Sequence, residues 1–494
     1  MERENAWKKY GADDLKALES LARDYIDFIS DNKTERECAA SAVRLAEAAG
    51  YVPLTKAVAA GTPLKAGDKV WATTHGKAVI LVQVGTEPMS AGLNILGAHI
   101  DSPRMDVKQN PLYESTDFTL LDTHYYGGIK KYQWVTLPLA LHGVVAKKDG
   151  SVVPVVVGED PADPVFCVTD LLIHLAKDQM AKPASDVVEG EALDLLVGSR
   201  PAVPAAAEGP ARADAAKGAE GVETAGPAKG EGAPADGDKE RVKAYTLGLL
   251  AEKYGIAEED FLSAELEIVP AGRARELGFD RSMVIGYGQD DRVCAYTSLA
   301  AQLAVSSRTV PARTSVTILV DKEEIGSVGA TGMHSLFFEN TIAEVMELAG
   351  EGGQLALRRA LRNSRMLSSD VSAGLDPSYA GQFEPKNAAY LGRGLVFNKY
   401  TGSRGKSGSN DASAEYVARV RRVMDDAGVS FQTAELGRVD AGGGGTIAYI
   451  LARYDMDVID SGVAVLSMHA PWEVTSKADV YEAYRGYEAF LLDA

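Results

Sequence analysis

A chain of 494 residues with 46% apolar and 24% charged content has the make-up of a soluble globular protein built from two or three domains. Its 51 basic and 70 acidic residues leave a formal charge of −19, which argues against nucleic acid or an anionic membrane surface as a partner. Cys38, Cys167 and Cys294 are too few and too scattered for a disulfide framework or a cysteine-rich zinc site. The amino-terminal stretch MERENAWKKYGADD has no apolar core, and no run approaches the ~20 apolar residues of a membrane helix. The expectation is a cytoplasmic protein with neither signal peptide nor membrane span.

Residues 13–49 predict two amphipathic helices, the second opened by Thr34 as N-cap and closed by Gly50. Strands are expected at 77–84 (KAVILVQV) and 93–100 (LNILGAHI). Past Pro103 the segments become short and β-rich, with a hairpin over 143–157 turning at Lys148-Asp149-Gly150, and a helix near 170–180. Residues 200–240, rich in Pro, Gly and Ala, cannot bury enough apolar surface to offset ordering entropy, so a disordered insertion is expected there. From Ser282 strands and helices alternate: SMVIGY, a helix over 291–305, SVTILV, a helix near 332–348, RMLSS, a helix over 411–427, a glycine-rich turn at 441–445 leading into another helix, VAVLS, and a terminal helix from Lys477. That rhythm predicts an α/β fold whose sheet is flanked by helices on both faces.

The stretch 314–329, TSVTILVDKEEIGSVG, organises the site. A buried strand ending in Glu323-Glu324 delivers carboxylates to the rim of a sheet, where open α/β folds keep their sites. Four more strands end the same way: LNILGA in His99 with Asp101 beyond it, SMVIGYGQ in Asp290-Asp291, RMLSS in Asp370, and VAVLSM in His469. One such cluster could be a solvated turn; five imply side chains converging at one sheet edge. Mixed imidazole and carboxylate donors suit zinc or a similar divalent ion. Two ions about 3.5–4 Å apart with a bridging carboxylate serve many aminopeptidases. Adjacent glutamates then supply one ligand and one general base.

The motifs GAHIDSPRMD, GYGQDDRV, DKEEIGSVGATG, SSDVSAGLDPSY and SMHAPWE, in that order, resemble those of the M18 family of metallo-aminopeptidases, the aspartyl aminopeptidase and aminopeptidase I group. The resemblance covers the chain apart from residues 200–240. It implies a zinc exopeptidase-like catalytic domain over 1–105 and 282–494, interrupted by a β-rich dimerisation domain over 106–281. It also implies peptide substrates, and a homo-oligomer built from dimers into a dodecamer. Two zinc ions per subunit are implied, with cobalt or manganese as alternatives. His99, Asp291 and Asp370 would hold one ion; Asp291, rather than Asp290, would bridge to the second, held also by Glu324 and His469. Glu323 would be the general base and Asp101 would fix the His99 tautomer. His174, in LLIHLAKD, would reach a neighbouring subunit's site and stabilise the tetrahedral intermediate.

Lys399, Arg404 or Lys406, in the loop around GSRGKSGS, could meet a substrate carboxylate. Gly445, in the run Gly442–Gly445, would let backbone approach the substrate. Where the aspartyl branch has a His-containing stretch, this chain has Ser372-Ala373-Gly374-Leu375-Asp376, so the resemblance does not carry acidic selectivity over. Trp134, Tyr125 and Tyr126 read as packing residues. The alternatives are a related di-zinc deacylase or carboxypeptidase, and a self-assembling shell without catalysis.

Overall fold

In a computed structural model, which describes residues 3–202, 240–402 and 405–494, the β-branched runs pair into three sheets. The largest has nine strands in the spatial order Val52–Pro53, Lys69–Thr74, Ala78–Gln83, Ser315–Val320, Asn94–His99, Arg365–Ser369, Asp457–Gly462, Leu395–Asn398 and Phe431–Thr433. Its four central strands, from Ser315–Val320 to Asp457–Gly462, run parallel, while Ala78–Gln83 and Leu395–Asn398 flank them antiparallel. Every residue of Ser315–Val320 and Asn94–His99 is buried. Strands covered on both faces read as near-continuous apolar runs, which is why they were legible.

Period-two alternation splits the core. Leu96 and Ala98 pack with the helices Ala12–Asp31, Glu35–Ala48, Gln289–Arg308, Ala414–Asp426 and Lys477–Asp493. Ile95 faces the other way, with Phe337–Leu348, Gln354–Arg362 and Ala448–Ala452. Helix starts follow their chemistry: the Thr34 hydroxyl accepts from the Glu37 N–H at 3.2 Å, and the Glu37 carboxylate accepts from the Thr34 N–H at 3.0 Å.

A six-stranded antiparallel sheet comes entirely from residues 104–270, in the order Val152–Val157, Leu139–Ala146, Ala264–Pro270, Arg104–Ser115, Phe118–Tyr126 and Leu195–Gly198. The expected hairpin is there, its turn closed by a Gly150 N–H to Lys147 carbonyl bond of 2.9 Å. Trp134 is fully buried in this layer, edge-on to Tyr287. A third, five-stranded sheet runs Arg275–Leu277, Met283–Gly286, Glu473–Ser476, Ala464–Leu466 and Ser372–Ala373.

Three expectations change. SMVIGY and VAVLS lie in the five-stranded sheet, so the motif strands end at two sheets rather than one edge. The helix near 170–180 is replaced by turns and a short 3-10 segment, Gln179–Ala181. Helices in proteins are stabilised mainly by burying an apolar face, and here Leu171, Ile173 and Leu175 stay 47%, 67% and 68% exposed. Tyr125, read as a packing residue, is also exposed. The insertion at 200–240 lies almost wholly outside the described residues.

Trp134→Ala should lower stability by about 3–5 kcal/mol, because it empties a closed site in the β-rich layer. Chemical denaturation of the two proteins measures the difference.

Candidate metal centre

Adjacent parallel strands place the first part of the site. His99 ends its strand; Glu323 and Glu324 follow the neighbour on one side, and Asp370 follows the neighbour on the other. Gly462 makes room for this packing, since a Cβ there would lie 2.0 Å from the Asp370 carbonyl oxygen. The five-stranded sheet supplies the rest: Asp290 and Asp291 at the non-helical start of Gln289–Arg308, and His469 beyond Ala464–Leu466 with φ of 65°.

Asp290 sits between the two imidazoles, with Oδ1 3.2 Å from His99 Nε2 and Oδ2 3.2 Å from His469 Nε2. His99 Nε2 is also 3.9 Å from Asp370 and 4.0 Å from Glu323. His469 Nε2 lies 3.6 Å from Glu324. Two groups of donor atoms each fall within 4.8 Å of one another: His99, Asp291 and Asp370, and His99, Asp290 and Glu324. The structure therefore gathers all five ligand residues named from sequence, but the carboxylate between the imidazoles belongs to Asp290, one position before the expected Asp291. The Asp291 carboxylate turns back instead, 3.4 Å from the His99 N–H.

Asp101 ties the site together. Its carboxylate accepts the Glu323 N–H at 3.1 Å, the Glu324 N–H at 3.2 Å and the Tyr126 hydroxyl at 2.9 Å, and stands 3.3 Å from His99 Nδ1. Tyr126 is thus a partner of the site as well as a buried ring. Glu473 does the same on the other side, accepting the His469 N–H at 2.7 Å and the Asp290 N–H at 3.1 Å. His469 Nδ1 faces the Gly128 carbonyl at 2.8 Å. The sequence reading did not single out Glu473, although it stands in the SMHAPWE motif.

Burial drives the electrostatics. It pushes the carboxyls of Glu324, Asp370 and Asp291 well above their usual range, and that of Glu323 up to about 7. For Asp290, burial acts upward too, but the His469 and His99 imidazoles outweigh it and hold the group low. Burial lowers His469, whereas Asp290 and Glu324 raise it further, to about 10. The buried Asp291 Oδ1 and Glu324 Oε1 have no hydrogen-bond partner. Crowded carboxylates, orphaned oxygens and two imidazoles suit a divalent cation.

A cleft of about 460 Å³ opens over these residues, with Val371, Asn398, Leu436, Thr446, Tyr449 and Met468 among its walls. Gly443, Gly444 and Gly445 line it. Lys399 and Lys406 do not line it; both are exposed and share the one carboxylate of Asp411. Arg404 lies outside the described residues. His174 is exposed on its turn and does not line the cleft. Asp460, absent from the sequence reading, is buried on the cleft floor, and burial pushes its carboxyl up to about 7.

A family model described as "Aminopeptidase I zinc metalloprotease (M18)" matches residues 28–491. A Clostridium acetobutylicum protein named "Probable M18 family aminopeptidase 1" is 57% identical over 99% of this chain and 98% of its own length. The crystal structure of an M18 aminopeptidase from Thermotoga maritima superposes with a TM-score of 0.88 at 40% identity, covering 100% of both chains. The S. cerevesiae mApe1 dodecamer matches at 17% identity and a TM-score of 0.70 over 95% of each chain, a likeness of fold.

Asp290→Ala should strip the protein of bound zinc, whereas Asp101→Ala should weaken metal affinity by about 10–100-fold. Equilibrium dialysis with metal analysis separates the two effects.

Proposed function

Because the chain belongs to the M18 family of zinc metallo-aminopeptidases, we propose that this cleft hydrolyses the amino-terminal peptide bond with two zinc ions per subunit and Glu323 as general base. The observation that carries the reading is Asp290 standing 3.2 Å from both imidazoles, the placing that a bridging carboxylate needs. His99 and Asp370 would complete one side, Glu324 and His469 the other, with Asp291 behind His99. Bound zinc would lower the pKa of a water and polarise the scissile carbonyl.

The chain's own residues do the rest. Glu323 is held by its backbone N–H on Asp101 and its carboxylate faces the cleft. It takes the proton of the attacking water and passes it to the departing amine. Its raised affinity for a proton suits a group that must accept one and give it back. Asp101 and Tyr126 keep the His99 ring and the Glu323-Glu324 turn in register. Gly128 and Glu473 hold the His469 ring.

His174 would act in a neighbouring subunit's cleft, and the assembly would be a dodecamer built from dimers. Support comes from the exposed apolar turn around it and from the dodecamer of the fold relative. The residues 106–281 would form the dimerisation domain, and free thiols at Cys38, Cys167 and Cys294 suit a reducing cytoplasm. Hydrolysis that did not require a free α-amine would instead identify a deacylase.

Glu323→Gln should cut kcat by about 10²–10⁴-fold while both metal equivalents remain bound. Assays on aminoacyl-anilides combined with metal analysis would detect surviving turnover, which removes the base role. In the same assay His174→Ala should lower kcat with little change in KM; an unchanged kcat removes it from the neighbouring site.

A further inference from the structure

One row of polar side chains crosses three neighbouring strands beneath the cleft. Asp460 is paired in register with Ser368 on one side and Asn398 on the other, so all three share a face of the sheet. Asp460 is 1% exposed and Asn398 5%, and both line the cleft beside Glu323 and Asp370. The Thr446 hydroxyl offers Asp460 one donor and leaves most of its acceptor capacity open, while Asn398 Oδ1 has no hydrogen-bond partner. The Asn398 amide nitrogen is already committed to Ser372 Oγ at 2.7 Å, so the amide offers its oxygen.

Buried acceptors without donors are rare, and each calls for an explanation. Here the open acceptors point to a ligand that donates. An ammonium brings three donors and a guanidinium five, and neither brings an acceptor. A carboxylate would set like charge against Asp460 in a dry site. The walls of the same cleft include Val371, Leu436, Met468 and Tyr449, surfaces that fit the aliphatic stem of a long basic side chain. The loop lysines that might have attracted an acidic side chain are instead held on Asp411.

We propose that Asp460 and Asn398 form the floor of the pocket for the substrate's amino-terminal side chain and select lysine or arginine there. This rests on the aminopeptidase reading and adds its specificity. Asp460 is a specificity residue: it touches the substrate's side chain and takes no part in proton transfer.

The test uses the zinc-loaded enzyme and matched lysyl-, arginyl-, leucyl- and glutamyl-anilides. Wild type should give the highest kcat/KM on the two basic substrates and the lowest on glutamyl. Asp460→Asn should reduce the lysyl-to-leucyl ratio of kcat/KM at least about tenfold, the size expected for losing a charged hydrogen bond. Asn398→Lys should raise glutamyl relative to lysyl turnover. Competitive inhibition of wild type by lysinamide and leucinamide needs no variant, and lysinamide should bind more tightly.

A wild-type preference for leucyl or glutamyl substrates would overturn the proposal, as would weaker inhibition by lysinamide. A ratio unchanged in Asp460→Asn, with equal losses on every substrate, would overturn it too, by showing that Asp460 meets the α-amine all substrates share. Absence of turnover on all four substrates would overturn the aminopeptidase reading itself, a result distinct from turnover with the wrong preference.

Discussion

Buried negative charge is the constraint on which this structure depends. Asp101, Asp290, Asp291, Glu324 and Asp370 crowd around two imidazoles where water is largely excluded. Carboxylates in such surroundings either take up protons or need a countercharge. Divalent cations would provide that countercharge and so offset the cost of assembling the acids. The fold accordingly keeps the acids on rigid elements: strand ends of a fully buried parallel core and the first residues of a long buried helix.

Two sheets must be held in fixed relation for this to work, and two carboxylates that are not themselves candidate ligands between the imidazoles do much of the holding. Asp101 joins the His99 strand to the Glu323-Glu324 turn and, through Tyr126, to the six-stranded sheet. Glu473 joins His469 to Asp290 within the five-stranded sheet. His99, Glu324, Asp290 and His469 are thus each held by a neighbouring carboxylate, the arrangement that preorganised metal sites share. The cleft beside them carries further buried acceptors, at Asp460 and Asn398.

Much of this was legible in the residues. The helices over 12–48 follow from apolar spacing and the Thr34–Glu37 capping pair, and the central strands from their unbroken apolar runs. Other elements were not. The strand Asp457–Gly462 has no clean alternation because Asp460 faces the cleft rather than a core. The segment 170–180 has helical spacing but leaves Leu171, Ile173 and Leu175 exposed. Tyr126 reads as a packing residue because only its hydroxyl, not its ring, reveals the link to Asp101.

The sequence by itself pointed to the chemistry: two imidazoles and six carboxylates, each just past an apolar run, in a type and order that suit a pair of divalent ions. It also determined which runs would be buried, because burial leaves its mark on composition. Only the tertiary structure decided which carboxylate stands between the imidazoles, Asp290 rather than its neighbour. The same holds for how strand ends from two sheets converge, and which acceptors are left facing the cleft. The physical reason is that adjacent, chemically identical side chains differ only in the direction their backbone gives them, and that direction is set by packing between segments hundreds of residues apart.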